Sequence, residues 1–361
     1  MSASAPRRAV SFSKVDIVFG ADPARAYPLI DEGRPVAEIN KETGQIVGVM
    51  NATFDVMEGE IVVLMGLSGS GKSTLIRAVN GLNKVARGAV HLADGDGDVE
   101  VSRCDAATLR RVRRTRVAMV FQQFGLLPWR TVAENVALGL ELSGVDKAES
   151  DKRVKAQLEL VHLSNWANKK VQELSGGMQQ RVGLARAFAT NAPILLMDEP
   201  FSALDPLIRD KLQDELLEFQ RSLKRTILFV SHDLDEAMKI GNRIVIMAGG
   251  RVIQVGTAQE IMLKPATPYV AEFVAHMNPL NVLRACDLMR PADGIAVPAD
   301  AVRLPDAHVF AGRAAIAPAA LPIKAVIAAR LSSGLPILVE DAGRIVGTID
   351  QDDIMRGIMR R

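Results

Sequence analysis

Cysteine and aromatic residues are scarce in this sequence. Its 361 residues include two cysteines, Cys104 and Cys286, and aromatic side chains make up 4% of the chain. Two cysteines so far apart cannot build a disulfide framework, and they lack the close spacing of a zinc or redox pair. We therefore predict two buried or half-buried thiols in a reducing compartment.

Long apolar runs are also missing. The densest ones, such as Ile61–Met65, fall far short of the roughly 20 residues needed to cross a bilayer. The N-terminal segment has Arg7 and Arg8 but no apolar stretch behind them, unlike a secretory leader. Residues 1–13 are predicted to be frayed. We expect a chain that is soluble by itself and reaches a membrane only through another protein.

No excess of charge of one sign is present. Lys and Arg total 44 against 42 for Asp and Glu, which gives a net charge of +2. So balanced a count gives no argument for nucleic-acid binding. Hydrophobic residues at 48% and charged residues at 24% are typical of a globular protein. The length predicts two or three domains.

Between about residues 14 and 280, short β-type runs alternate with helical patterns. The runs are Ile61–Met65, Val117–Phe121, Ile194–Met197, Thr226–Val230 and Arg243–Met247. This alternation predicts an α/β fold with a largely parallel, buried sheet. From about 140 to 190 the pattern is helical throughout, which indicates a helical insert on that core.

A glycine-rich segment follows the first of these runs. It reads GLSGSGKST and leads into a helical pattern, the context in which GxxxxGK[ST] binds phosphate. Its backbone N–H groups and the helix N-terminus supply positive charge. Lys72 is predicted to reach the β- and γ-phosphates, and Ser73 to ligate Mg²⁺. The predicted nucleotide-binding residues here are Gly66, Ser68, Gly69, Ser70, Gly71, Lys72, Ser73 and Thr74.

Two carboxylates follow another of the runs. Asp198 and Glu199 come after Ile194–Met197, at the sheet edge where open α/β folds bind ligands. We predict that Asp198 belongs to the Mg²⁺ shell and that Glu199 polarises the attacking water. With the phosphate loop, this pair predicts a P-loop NTPase that uses a nucleoside triphosphate.

Four further motifs resemble those of ABC ATPases and occur in the same order. They are Gln122 in VFQQF, LSGGMQQR at residues 174–181, SALD at 202–205 and SHD at 231–233. The resemblance covers about residues 14–280. It implies an ABC ATPase domain over residues 1–280, with a helical subdomain at about 122–190.

The resemblance also implies how the site is shared. ATP would lie in a head-to-tail homodimer, between the phosphate loop of one chain and the Ser175 loop of the other. The implied additions to the nucleotide site are Ser175, Gly176, Gly177, Gln179 and Asp205. The implied catalytic residues are Glu199, His232, Gln122 and Lys72. The implied Mg²⁺ ligands are Ser73, Gln122 and Asp198.

One feature of the family is missing from its expected place. ABC ATPases usually stack an aromatic residue from upstream of the phosphate loop on the adenine. The corresponding stretch here, Lys41–Val47, has no aromatic side chain. The candidates to cover the base are Val47, Val49, Phe19 and Tyr27.

The organisation of the chain resembles that of importer ATPases, which act on a separate permease. Residues 122–140, QQFGLLPWRTVAENVALGL, are similar to the surface that receives a permease helix. Its apolar lip would be Leu126, Leu127, Pro128 and Trp129. The implied partners are a second copy, two permease subunits and a substrate-binding protein, but no nucleic acid. The implied location is cytoplasmic, on the inner face of the cell membrane.

Three segments point to a subfamily. MGLSGSGKSTLIRAVNGLN, DEPFSALDPLIRDKLQDEL and FVSHDLDEAMKIGNRIVIM resemble quaternary-amine importers. The segments VDIVFGADPARAYPLIDEG and ETGQIVGV resemble the choline branch most, with glycine betaine or proline next. Two alternatives stay open: an importer of another solute such as methionine, and a soluble ABC ATPase that acts on nucleic acid or the ribosome.

After about residue 280 the composition shifts towards Ala, Pro and Val, which predicts a second domain over residues 281–361. Residues 336–359 read as strand, turn, strand and helix. Leu335–Ile354 resembles the second half of a CBS module, a small α+β domain. The resemblance implies either a regulatory sensor or a dimerisation platform.

Overall fold

The computed structural model describes residues 7–95, 97–275, 278–292, 297, 300–304 and 314–359. They form two compact units. Unit 1 runs to Asp233 and includes Ile240–Val255, and unit 2 combines Leu234–Lys239 with the residues from Gly256 on. Apart from Leu234–Lys239, the second compact unit begins at Gly256. The predicted domain boundary at residue 280 rests on the change in composition instead. Residues of the two predicted domains that lie outside the described ones are 1–6, 96, 276–277, 293–296, 298–299, 305–313 and 360–361.

Helices and strands are interspersed along the chain up to residue 256. In order they are β1 (Arg8–Phe19), α1 (Tyr27–Asp31), α2 (Val36–Thr43), β2 (Ile46–Met57), β3 (Ile61–Met65), α3 (Lys72–Ile76), β4 (Arg87–Asp94), β5 (Gly97–Glu100), α4 (Ala106–Thr115), β6 (Val117–Val120), α5 (Val132–Leu142), α6 (Lys147–Leu160), α7 (Gly176–Ala189), β7 (Ile194–Asp198), α8 (Pro206–Leu223), β8 (Thr226–Val230), α9 (Leu234–Ile240), β9 (Arg243–Ala248) and β10 (Arg251–Gly256).

A sheet in the order β10–β9–β3–β8–β7–β6 lies at the centre of unit 1. The pairings from β9 through β6 are parallel, as the sequence predicts. Every residue of β3, β7 and β8 is buried, because short apolar strands in a parallel sheet are covered on both faces. The carboxyl ends of these three neighbouring strands bring the phosphate loop, Glu199 and His232 to one edge.

A second sheet, in the order β2–β1–β4–β5, is antiparallel. The prediction that residues 1–13 are frayed is wrong for residues 8–13. Ala9, Val10 and Phe12 are buried in β1, and the Phe12 ring stacks on Phe54 with 4.6 Å between centroids. Burial does not alternate strictly along β1, because Ala9 and Val10 are both buried and so are the four residues Val15–Val18.

Helices α5, α6 and α7 pack against one another. The first begins with a capping box between Thr131 and Glu134. Inside it, the fully buried Asn135 amide accepts from the Leu127 N–H and donates to the Leu127 carbonyl at 2.8 and 3.1 Å. The segment before α5 is therefore fixed to this helical group.

Unit 2 continues with α10 (Ala258–Leu263), α11 (Pro268–Val274), α12 (Ala285–Leu288), β11 (Arg290–Pro291), β12 (Val302–Arg303), β13 (Ala315–Pro318), α13 (Ile323–Ser333), β14 (Ile337–Asp341), β15 (Arg344–Ile349) and α14 (Gln351–Met359). Its sheet has the order β11–β15–β14–β13–β12. The strand, turn, strand and helix predicted for residues 336–359 are confirmed. Within the described residues, none of the helices combines the length and apolarity that crossing a bilayer requires.

Candidate nucleotide site

The phosphate loop links β3 to α3 and depends on its glycines. Gly66 and Gly71 have φ angles of 143° and 99°, which disfavour any side chain. A Cβ on Gly66 would lie 2.1 Å from the Met247 carbonyl oxygen, and one on Gly71 would lie 2.4 Å from that of Gly48. The loop therefore rests directly on the backbone of neighbouring strands and leaves its open side to a ligand.

Lys72 is buried within this loop. Its Nζ donates to the carbonyl oxygens of Gly66 and Leu67 at 2.8 and 3.0 Å. Burial lowers the pKa of the Lys72 ammonium, while the charges of Glu199 and Asp198 oppose that shift. Phosphate oxygens are stronger acceptors for an ammonium than neutral carbonyls. Hydrogen bonds from Nζ to a bound phosphate would therefore replace those to the two loop carbonyls.

Ser73 and Asp198 meet across the site. The Ser73 hydroxyl donates to Asp198 Oδ1 at 2.7 Å, and Arg77 Nη2 donates to Asp198 Oδ2 at 2.8 Å. A hydroxyl and a carboxylate oxygen side by side fit the ligand preference of Mg²⁺, which binds through one or two protein oxygens together with phosphates. Among the described residues, no group of three or more His, Cys, Asp and Glu is placed to hold a metal ion.

The Glu199 carboxylate lies next to two other predicted site residues, Gln122 and His232. Its Oε2 accepts from Gln122 Nε2 at 3.0 Å and lies 3.5 Å from His232 Nδ1. Its backbone has a φ of 50°, and its N–H donates to the Val230 carbonyl at 3.1 Å. This bend turns the side chain away from the buried strand towards the open edge of the sheet.

The predicted signature residues form a second group. Ser175 accepts from the Met178 N–H at the start of α7, and Asp205 accepts from the Ile208 N–H at the start of α8. In the described chain neither side chain bonds to the phosphate loop. Gln179 Nε2 donates to the carbonyls of Val171 and Leu174, so its amide holds the segment before α7.

Sequence reasoning missed the role of Gln180. This fully buried side chain donates to the Glu199 carbonyl and accepts from the Ala203 N–H, both at 3.3 Å. It therefore couples α7 to the end of β7 and to the SALD loop. Gln180 and Gln179 are adjacent identical residues in LSGGMQQR, so the sequence does not indicate which of them is buried.

The candidates for the adenine differ in exposure. Val47 and Val49 are buried. The Tyr27 hydroxyl donates to the Ala86 carbonyl at 2.9 Å, and its ring faces Arg87. Phe19 is 40% exposed, and its ring edge lies 3.1 Å from the position of a Cβ on Gly48, beside the Thr74 methyl group. Phe19 is thus the aromatic side chain next to the phosphate helix.

The central sheet and the groups at its carboxyl edge define a P-loop NTPase of the ABC ATPase class. The family profile described as ABC transporter matches residues 49–202. The chain is 46% identical to the glycine betaine transport ATP-binding protein OpuAA of Bacillus subtilis, over 80% of this chain and 68% of that protein. It therefore belongs to the ATP-binding proteins of ABC transporters.

Two further comparisons agree. The glycine betaine/proline betaine transport system ATP-binding protein ProV of Escherichia coli is 50% identical over 76% of this chain and 67% of its own length. The dimeric ATP-binding cassette MJ0796, in a post-hydrolysis state bound to ADP and Pi, is similar in structure with a TM-score of 0.59. That similarity covers 69% of this chain and 98% of the cassette at 31% identity.

Proposed function

We propose that this chain is the ATP-hydrolysing subunit of an importer for a quaternary amine. The observation that carries the proposal is the identity of 46–50% with transport proteins for glycine betaine and proline betaine. Choline, which the N-terminal segments favour, is the finer hypothesis within the same class, because all three solutes carry a quaternary ammonium. An importer of methionine is the competing proposal.

In this proposal the site works as follows. Lys72 exchanges the carbonyls of Gly66 and Leu67 for the β- and γ-phosphates. Ser73 and Asp198, with the Gln122 amide oxygen, hold Mg²⁺, which neutralises charge on the phosphates when bound. Glu199 accepts a proton from the attacking water, and His232, beside Glu199, orients the γ-phosphate.

The second half of the site comes from another copy in this proposal. Ser175 and Asp205 are exposed at the starts of α7 and α8, where backbone N–H groups favour an anion. A C₂ dimer would use the same two surfaces twice. We expect one MgATP at each of the two equivalent sites.

The surface proposed for the permease lies just before α5. Trp129 is 69% exposed, and Pro128 beside it is also exposed, while the Asn135 amide fixes the neighbouring Leu127 backbone. An apolar side chain on a fixed support suits a helix from a membrane subunit. Such docking would hold the chain at the inner face of the membrane beside two permease subunits and a binding protein.

The transported solute is tested by reconstitution of this chain with a permease and a binding protein of the quaternary-amine class. ATP turnover is expected to rise when glycine betaine, proline betaine or choline loads the binding protein, since cation–π contacts recognise a quaternary ammonium. Methionine serves as the matched control solute. Stimulation by methionine alone would contradict the proposal.

We also propose that Phe19 stacks on the adenine. Replacing Phe19 with Ala is expected to weaken MgATP binding by about two- to tenfold, because aromatic stacking contributes about 0.5–1.5 kcal/mol. The measurement is a titration with a fluorescent ATP analogue. Phe19→Tyr should retain the affinity, and Tyr27→Phe is the control outside the site. Unchanged affinity in Phe19→Ala would exclude the stacking role.

For the C-terminal region, we propose a CBS-like dimerisation domain over residues 281–361, appended to the ATPase domain of residues 1–280. The outer face of α14 exposes Met355 and Met359 together with Asp352 and Arg356. Two such faces running antiparallel would pair each acid with the partner's base. The molar mass of the chain in solution, measured without nucleotide at micromolar concentration, tests this proposal. We expect a dimer. A monomer would contradict the dimerisation role and leave a sensing role as the alternative.

A further inference from the structure

A guanidinium group occupies one side of the carboxylate proposed for the metal. Asp198 is fully buried, with Oδ1 bonded to Ser73 and Oδ2 bonded to Arg77. Arg77 follows Ser73 by four residues and caps α3. Residues at that spacing lie on the same face of a helix, so one helical turn presents both groups to the two oxygens.

This ion pair answers an electrostatic requirement of the buried Asp198 carboxylate. A buried carboxylate without a charged partner is strongly disfavoured. The charge of Lys72 also acts on Asp198, but its Nζ is hydrogen-bonded to the loop carbonyls. Arg77 therefore supplies the positive charge that is in direct contact with Asp198.

The guanidinium is only partly anchored. Its Nε is buried and has no hydrogen-bond partner among the described residues, while the side chain as a whole is 37% exposed. Of the five N–H donors of the guanidinium, one on Nη2 is bonded to Asp198. The Arg77 guanidinium can therefore move from Asp198 towards solvent on its exposed side.

We propose that Arg77 is a positioning residue that takes the place of the metal's charge at Asp198 and lowers the affinity of the site for the metal. Two cations beside one carboxylate repel each other, so the metal binds against Arg77 or displaces it. Arg77 balances the charge of Asp198 when no metal is bound, and the negative charge of a bound nucleotide favours the metal. This inference rests on the metal role proposed for Ser73 and Asp198.

The test is the binding of Mn²⁺ in the presence of ADP, followed by the electron paramagnetic resonance signal of free Mn²⁺. Arg77→Met is expected to bind Mn²⁺ about tenfold more tightly, as for a unit charge some 6 Å from a divalent ion in water. Nucleotide-free Arg77→Met should also unfold at a lower temperature than the wild type. Mn²⁺ with ADP should reduce this difference in unfolding temperature between Arg77→Met and the wild type.

Three variants make the result decisive. Arg77→Lys keeps the charge and should bind Mn²⁺ as the wild type does. Arg113→Met removes an arginine bonded to the Asn80 and Gly81 carbonyls, and should leave Mn²⁺ binding unchanged. If Arg77→Met does not fold, Arg77→Gln replaces it. Unchanged or weaker Mn²⁺ binding in the neutral variant overturns the inference, whereas unchanged binding in Asp198→Asn overturns the metal site itself.

Discussion

Replacing Glu199 with Gln is expected to leave MgATP binding intact and to slow turnover by about 10²–10⁴-fold, the usual contribution of a general base. That loss corresponds to about 3–5 kcal/mol of activation free energy. The amide has the shape of the carboxylate and can still accept a hydrogen bond from Gln122. It cannot take a proton from water, so binding and chemistry should separate.

The measurement combines steady-state turnover with the nucleotide retained after gel filtration. The variant should hold unhydrolysed ATP in a dimer with two nucleotides, because closure no longer ends in hydrolysis. Glu159→Gln, on the exposed face of α6, is the matched control and should turn over ATP normally. Normal turnover in Glu199→Gln would remove this residue from the role of base.

The residues at the carboxyl ends of the central strands could be predicted from the sequence. Fully buried strands read as uninterrupted apolar runs, and whatever follows them must lie at the sheet edge. Lys72, Ser73, Asp198, Glu199 and His232 all follow such runs, so the sequence alone predicts that they share one edge. The contacts of Ser73 with Asp198 and of Glu199 with His232 agree with that prediction.

The antiparallel sheet could not be predicted in the same way. Strand β1 buries Ala9–Val10 and Val15–Val18 in succession, and its pairing with β2 contains several register shifts. Each shift interrupts the alternation of apolar and polar residues on which a prediction of this kind depends. The sheet therefore gives no regular signal along the sequence, even though its core residues are as buried as those of the central sheet.

Phe19 lies far from the phosphate loop in the sequence because helices α1 and α2 separate it from β2. These helices bury Ile30 and Ile39 in a cluster with Val18 and Met50. A fixed distance before the phosphate loop therefore falls inside α2 and not at Phe19. Phe19 pairs with Ile46 across the strands, and such pairing is a tertiary property that the spacing along the sequence does not reveal.

Replacing Gly71 with Ala is expected to destabilise unit 1 by about 2–5 kcal/mol and to abolish phosphate binding. The left-handed backbone costs a non-glycine residue about 1–2 kcal/mol, and overpacking adds about 1–3 kcal/mol. Its φ and ψ are 99° and 2°, and the new Cβ would lie 2.4 Å from the Gly48 carbonyl oxygen. Because the obstacle is backbone, relief requires that the loop move away from β2. Urea unfolding measures the loss.

Gly69→Ala separates the two causes. Gly69 also has a positive φ, of 78°, but no heavy atom lies within 4 Å of the position of its Cβ. The control should therefore lose only the conformational part, about 1–2 kcal/mol. If both variants lost the same stability, the close approach of Gly71 to β2 would not matter to the fold. A larger loss in Gly71→Ala would show that the phosphate loop is held in shape by the antiparallel sheet as well as by β3.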